Sequence, residues 1–132
     1  PPGAAAAERR EPAPAIDPVE LIGRVEGDRV LLSELVRAFL HTAPLQLQAI
    51  DTALERGEGT AIVRAANTLR GSIGTFGAAP AVQVLGRLEV LGGLGDREAA
   101  RAVRAELEME MARLVRALTP FATDPEKDAC AS

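Results

Sequence analysis

Residues 60–77 read TAIVRAANTLRGSIGTFG, and the apolar side chains among them recur every three or four positions. This spacing places them along one side of an α-helix of 3.6 residues per turn. We expect Thr60 to cap this helix and Gly77 to end it. The predicted inward stripe consists of Ile62, Ala66, Leu69, Ile73 and Phe76.

Two helices are predicted before this one. Residues 17–20, Asp-Pro-Val-Glu, begin a short helix, because aspartate caps, proline suits the first turn and glutamate can reach back to the cap. Asp28 begins a long helix that closes at the Gly-Glu-Gly of residues 57–59. We expect Pro44 to kink or restart that helix, since proline lacks a backbone donor and clashes with the preceding turn.

Two more helices are predicted after it. Pro80 suits the first turn of one, which is expected to end at Gly92-Gly93. Asp96 caps the other, and Pro120 lies beyond its end. No segment alternates apolar and polar residues as a half-buried strand does. The pattern predicts an all-α fold, an antiparallel four-helix bundle with a short additional N-terminal helix.

The amino-acid composition favours helices over strands and argues against one class of function, nucleic-acid binding. Of the 132 residues, 47% are hydrophobic but only 2% are aromatic, so the core must be built mainly from aliphatic side chains. Leucine and alanine are strong helix formers, whereas strands favour aromatic residues. The formal net charge of −4 offers no broad basic surface, and we expect no nucleic-acid partner.

Composition also divides the chain. Five of the nine prolines fall in the first 18 residues, so we expect a Pro/Ala-rich linker at 1–15, the bundle at 16–121 and a flexible tail at 122–132. Cys130 is the only cysteine, which excludes an internal disulfide and fits a reducing compartment. The N-terminal residues do not resemble a signal peptide, and no apolar run approaches the ~20 residues that span a bilayer. We expect a cytoplasmic domain with no direct membrane insertion, any anchor of a parent protein lying elsewhere.

Asn67 falls on the side of its helix opposite the inward stripe. Its neighbours three or four positions away include Arg64, Arg70 and Gly71, and Gly74 lies a further turn along. Each glycine inside a helix costs about 1 kcal/mol relative to alanine. Either the glycines admit a neighbouring helix or loosen the helix end, or they keep a strip of backbone bare for another molecule.

The motif at residues 66–72, Ala-Asn-Thr-Leu-Arg-Gly-Ser, is followed by Gly74, Phe76 and Gly77. It resembles the signature of the histidine-containing phosphotransfer (Hpt) domain family, which reads Ala-His-x-Leu-Lys-Gly-Ser. The resemblance extends over residues 16–118. It implies a module of two-component phosphorelay signalling that docks the receiver domain of a response regulator or of a hybrid kinase.

The resemblance also implies roles for individual residues. Asn67 occupies the position of the phosphorylated histidine, and Arg70 that of a lysine that stabilises the phosphoryl group. Gly71 lies where the missing side chain lets a receiver close over position 67. Glu89 falls near a position whose polar side chain can hydrogen-bond the residue at 67. Arg64 is added on helical geometry and charge alone, so that the residues expected to dock the receiver are Arg64, Arg70, Gly71 and Gly74.

Asn67 decides the chemistry. A histidine in this position attacks an aspartyl phosphate through a ring-nitrogen lone pair, whereas the amide nitrogen of asparagine is delocalised into its carbonyl and is not a nucleophile. We therefore expect no phosphoryl transfer to position 67 and no autonomous catalysis from this chain. The resemblance leaves open that the parent protein is a sensor histidine kinase.

No other residue predicts a reactive site. His41, the only histidine, lies near the expected break at Pro44 and has no companion ligand, so we expect no metal and no cofactor. Glu106, Glu108 and Glu110 alternate along the last helix and do not converge, so we expect a solvated face there.

Three functions fit these observations. In the first, a natural Hpt-like module docks receivers or kinases without carrying phosphate. In the second, the asparagine is an engineered replacement in an active phosphotransfer domain from a hybrid sensor histidine kinase. In the third, the bundle is a purely structural oligomerisation module. The outward glycines weigh against the third, because a structural bundle gains nothing from them.

Overall fold

The computed structural model describes residues 14–123. The greater part of the predicted linker and tail, Cys130 included, lies outside the described residues. Residues 14–123 contain no strand, so the all-α prediction is confirmed. The elements are α1 (Pro18–Arg24), α2 (Arg29–Arg56), α3 (Gly59–Gly74), α4 (Ala79–Leu94), α5 (Arg97–Leu118) and a short 3-10 helix (Thr119–Ala122).

Aspartate side chains begin three of the helices, as the sequence predicts. Asp17, Asp28 and Asp96 each accept a backbone hydrogen bond from the first turn of the helix that follows. Glu20 differs from the expectation that it would reach back to Asp17. Its carboxylate instead binds Arg24 one turn further along, at 2.8 Å, because an opposite charge four residues away is within reach.

The α3 helix differs from the prediction at both ends. It begins at Gly59, and Glu58 occupies the cap position without a side-chain hydrogen bond, so Thr60 is not the cap. Its last α-helical residue is Gly74. Gly77 lies in the turn that follows, with a left-handed φ of 66° that glycine adopts without strain.

The α4 helix is longer than predicted. It continues through Gly92, which is buried, to Leu94. Gly95, with a φ of 75°, makes the left-handed turn that ends it. The Gly92-Gly93 pair was expected to terminate the helix, but both glycines lie inside it, and Gly92 packs against α3.

The α2 helix runs through Pro44 over 28 residues, so it does not restart there. Pro44 itself faces solvent, while Phe39, Ala43 and Ile50 are buried in the core. Burial of the same helix face before and after the proline offsets the one backbone hydrogen bond that proline cannot donate.

The core is one cluster of mainly aliphatic side chains to which all five helices contribute. The α3 helix packs against both α2 and α4, and α4 packs against α5, with short loops between consecutive helices. The ring of Phe39 on α2 packs against that of Phe76, in the turn after α3, with centroids 5.2 Å apart. None of the described helices combines the length and apolar character that crossing a bilayer requires. The predicted inward stripe of α3 is buried throughout, at Ile62, Ala66, Leu69, Ile73 and Phe76.

Candidate functional site

Gly71 and Gly74 lie on α3 with open space above them. A β-carbon at either position would meet no other atom of residues 14–123 within 4 Å, helix backbone neighbours aside. Within residues 14–123, these two glycines therefore do not serve to admit a neighbouring helix. They leave a bare strip of backbone next to the exposed side chain of Asn67.

Glu89, on α4, holds both Asn67 and Arg70. Asn67 Nδ2 donates a hydrogen bond to Glu89 Oε1 at 3.1 Å. Arg70 Nε lies 2.8 Å from Glu89 Oε2, and Arg70 Nη2 donates to Oε1 at 3.3 Å. Two N–H groups of one guanidinium thus bind both oxygens of one carboxylate, the arrangement that makes such pairs strong.

The hydrogen bond fixes the orientation of the Asn67 amide. An ionised carboxylate only accepts, so the contacting group of Asn67 must be its NH₂. The Oδ1 atom of Asn67 then has no hydrogen-bond partner within residues 14–123. Position 67 therefore offers an acceptor oxygen to an approaching molecule.

The site lies at the boundary between core and solvent. The Glu89 side chain is 16% exposed and that of Arg70 is 42% exposed. Arg64, one turn before Asn67, is exposed and has no ion-pair partner among the described residues. Two positive charges and one negative charge leave the face with a net charge of +1, on a chain whose formal net charge is −4.

Sequence reasoning missed Arg24, which reaches the end of α3 from α1. Its Nη1 donates to the carbonyl oxygen of Gly74 at 3.4 Å, while its Nη2 binds Glu20. A cation is favourable at a helix C-terminus, where the last carbonyl groups are unpaired. The spacing of Glu20 and Arg24 was visible in the sequence, but the distant helix that they meet was not.

The remaining candidates do not join this site. His41 is exposed on α2, and residues 14–123 hold no group of three or more His, Cys, Asp or Glu side chains that could bind a metal. The three glutamates of α5 do not converge, but they form a row of ion pairs rather than a merely solvated face. Glu106, Glu108 and Glu110 pair with Arg87, Arg104 and Arg113 respectively.

The family model described as the Hpt domain matches residues 34–117. No curated protein and no solved structure matches the chain. The matched range is 84 of the 132 residues and contains all of α3 and α4, with Asn67, Arg70, Gly71 and Glu89 inside it. Since this match spans more than half of an all-helical bundle, the chain belongs to the Hpt domain family, whose members are phosphotransfer modules of the phosphorelay type.

Proposed function

We propose that this Hpt domain docks receiver domains through the outward face of α3 and takes no phosphoryl group at position 67. Hpt domains in general interact with the receiver domains of response regulators. The observation that carries the proposal is the open backbone at Gly71 and Gly74 beside Asn67. Gly71 lies inside α3, where glycine lowers helix stability by about 1 kcal/mol relative to alanine, and no atom of the described residues occupies the space of its missing side chain.

The chemistry of Asn67 supports docking without transfer. Attack on an aspartyl phosphate needs a localised lone pair, and the lone pair of the Asn67 amide nitrogen is shared with its carbonyl. That nitrogen acts as a hydrogen-bond donor, and one of its two N–H groups binds Glu89. The oxygen that remains available is a weak nucleophile, so position 67 holds a hydrogen-bonding group and not a phosphoryl acceptor.

The geometry also makes Asn67 a mimic of a neutral histidine. An imidazole at this position would donate one ring N–H to Glu89 and present the lone pair of the other ring nitrogen outward. Asn67 donates its NH₂ to Glu89 in the same way and leaves the lone pairs of Oδ1 available. A receiver would meet a similar acceptor in both cases, so losing the chemistry does not entail losing the docking.

The charges of the face fit an acidic partner pocket. Arg64 and Arg70 flank the strip that Gly71 keeps bare, and complementary charge of this kind mainly sets encounter rate and partner choice. The docking face is limited to one side of α3 and the neighbouring edge of α4. An interface of this small extent is typical of transient complexes. We therefore expect rapid, reversible docking.

The direct test mixes the domain and its Asn67→His variant with phosphorylated receivers and follows the phosphoryl group by intact mass. We expect a gain of one phosphoryl group in the histidine variant alone. Titration of the same receivers against both proteins should give dissociation constants within about tenfold of each other, since the acceptor is retained. Labelling of the unaltered chain at position 67, or binding by neither protein, would contradict the proposal.

One observation favours a second candidate, in which the natural residue at 67 is histidine and the parent is an active phosphotransfer domain of a hybrid sensor kinase. Glu89 and Arg70 together form a network that suits an imidazole as well as an amide. A domain that had long lost phosphotransfer would be expected to have accumulated substitutions at Arg70 and Gly71, where this chain keeps the family motif. The codon for residue 67 in the parent gene separates the two candidates.

A further inference from the structure

We infer that Glu89 masks Arg70 and thereby makes the docking face prefer a phosphorylated receiver to an unphosphorylated one. The inference rests on the proposed docking function and deepens it. It concerns the charge that a partner meets at this face, whereas the bare backbone at Gly71 governs whether a partner can approach at all.

The masking follows from the contacts of Glu89. Two N–H groups of Arg70 bind its carboxylate, and a third hydrogen bond comes from Asn67. The Glu89 side chain is 16% exposed, so it lies deeper than Arg70, and the Arg70 side chain is on the solvent side of the ion pair. A partner that binds the Nε–Nη2 edge of the Arg70 guanidinium must therefore compete with an anion that is already in place.

The competition separates the two forms of a receiver. Glu89 is tethered beside Arg70, so its effective concentration there is in the millimolar range or above. A receiver aspartate brings the same chemical group with one negative charge and has little advantage over Glu89. A phosphoryl group carries about −1.5 to −2 charges and three strong acceptor oxygens, so it binds the guanidinium more strongly.

Arg64 provides an internal contrast. It is exposed on the same face and has no competing carboxylate among the described residues. It should attract both forms of the receiver in proportion to their charge. The discrimination that depends on displacing an anion belongs to Arg70 alone.

The test compares the unaltered domain with Glu89→Gln, which keeps the shape and an acceptor for Asn67 but removes the charge. Both are titrated at low salt with one receiver, unphosphorylated and in its beryllofluoride-activated form. We expect Glu89→Gln to bind the unphosphorylated receiver about tenfold more tightly and the activated form about threefold more tightly, so that the preference shrinks. Weaker binding of both forms, or an unchanged preference, would overturn the inference.

Glu106→Gln is the matched control. Glu106 pairs with Arg87 between α4 and α5, and its removal changes the net charge by the same amount. We expect less than a twofold change in binding of either form, because neither residue of this pair binds Asn67, Arg70 or Glu89. An equal gain in Glu106→Gln and Glu89→Gln would mean that overall charge, and not the unmasking of Arg70, is responsible.

A second measurement needs no receiver and separates this inference from the docking proposal. The Arg70 Nε–H signal is followed by NMR in the isolated domain during titration with inorganic phosphate and, separately, acetate. We expect phosphate to move this signal at lower concentration than acetate in the unaltered domain, and both anions to act at several-fold lower concentration in Glu89→Gln. If the two proteins respond alike, Glu89 does not mask Arg70. If they differ as expected but no receiver binds, the docking proposal fails and the masking stands.

Discussion

The two ends of α3 use glycine in opposite ways. At the beginning of the helix, a β-carbon on Gly59 would lie 2.5 Å from the carbonyl oxygen of Gly92, and one on Gly92 would lie 2.8 Å from Ile62 Cγ2. Towards the end of the helix, β-carbons on Gly71 and Gly74 would meet open space. The fold requires glycine in the first region and loses stability through it in the second. The docking proposal accounts for the glycines of the second region, which lie beside Asn67.

The largest expected effect is on docking, from Gly71→Gln. The side chain would project from the bare strip next to Asn67 and block the close approach of a receiver, while no contact within the domain is disturbed. We expect binding to weaken by about a hundredfold or more, with an unchanged helical circular dichroism spectrum. Isothermal titration with a receiver measures the loss.

Gly23→Gln is the matched control for this change. Gly23 is also an exposed helical glycine with no atom near a β-carbon, but it lies on α1. Its replacement should leave docking unaltered. If both variants lose binding equally, or if Gly71→Gln unfolds the bundle, the outward face of α3 has been assigned wrongly.

Gly59→Ala should produce the largest change in folding stability. The added methyl group meets the backbone of α4, which cannot move as a flexible side chain can. Overpacking of this kind costs about 1–3 kcal/mol, of which the better helix propensity of alanine recovers up to about 1 kcal/mol. We expect a net loss of roughly 1–2 kcal/mol in the free energy of unfolding, measured by urea denaturation. An increase in stability would remove the distinction between the two ends of α3.

Gly71→Ala should have the opposite sign and a smaller size. With no neighbour to meet, the methyl group only restricts the unfolded chain and improves helix propensity. We expect a gain of about 0.5–1 kcal/mol in the free energy of unfolding. The same substitution at Gly23 should give a similar gain, and a loss of stability at Gly71 alone would show that its surroundings are not open.

Local rules predicted most of the helices, because periodicity and aspartate caps act within a few residues. They failed where a distant segment decides the outcome. Gly92 was taken as a helix end, yet it lies inside α4 because Gly59 and Ile62 of α3 pack against it. At Pro44, the proline rule was outweighed by burial of the α2 face on both sides.

The site shows the same division between local and distant information. Helical spacing alone placed Asn67, Arg70 and Gly71 on one face, because they belong to a single helix. The ion pair of Arg70 with Glu89 joins residues 19 positions apart and depends on which edge of α3 meets α4. Resemblance to the family indicated that Glu89 lies near position 67. No sequence feature indicated that Glu89 would also form an ion pair with Arg70.

The smallest expected effect comes from Arg64→Gln. This substitution tests the contribution of charge to docking separately from the contribution of the open space above Gly71. Arg64 is exposed and makes no ion pair within residues 14–123, so its replacement should change the free energy of unfolding by less than about 0.5 kcal/mol. Its positive charge should instead accelerate encounter with an acidic receiver pocket. We expect the association rate to fall about threefold at low salt and the dissociation rate to stay nearly constant, because a charge at the rim of an interface acts mainly before contact.

The difference in association rate should fade as the Debye length shrinks to about 3 Å near 1 M salt, whereas the steric block from Gly71→Gln should persist there. If high salt restored receiver binding to Gly71→Gln as well, the bare strip would act through charge and not through clearance. Glycine at the end of α3 would then have no role in letting a receiver approach.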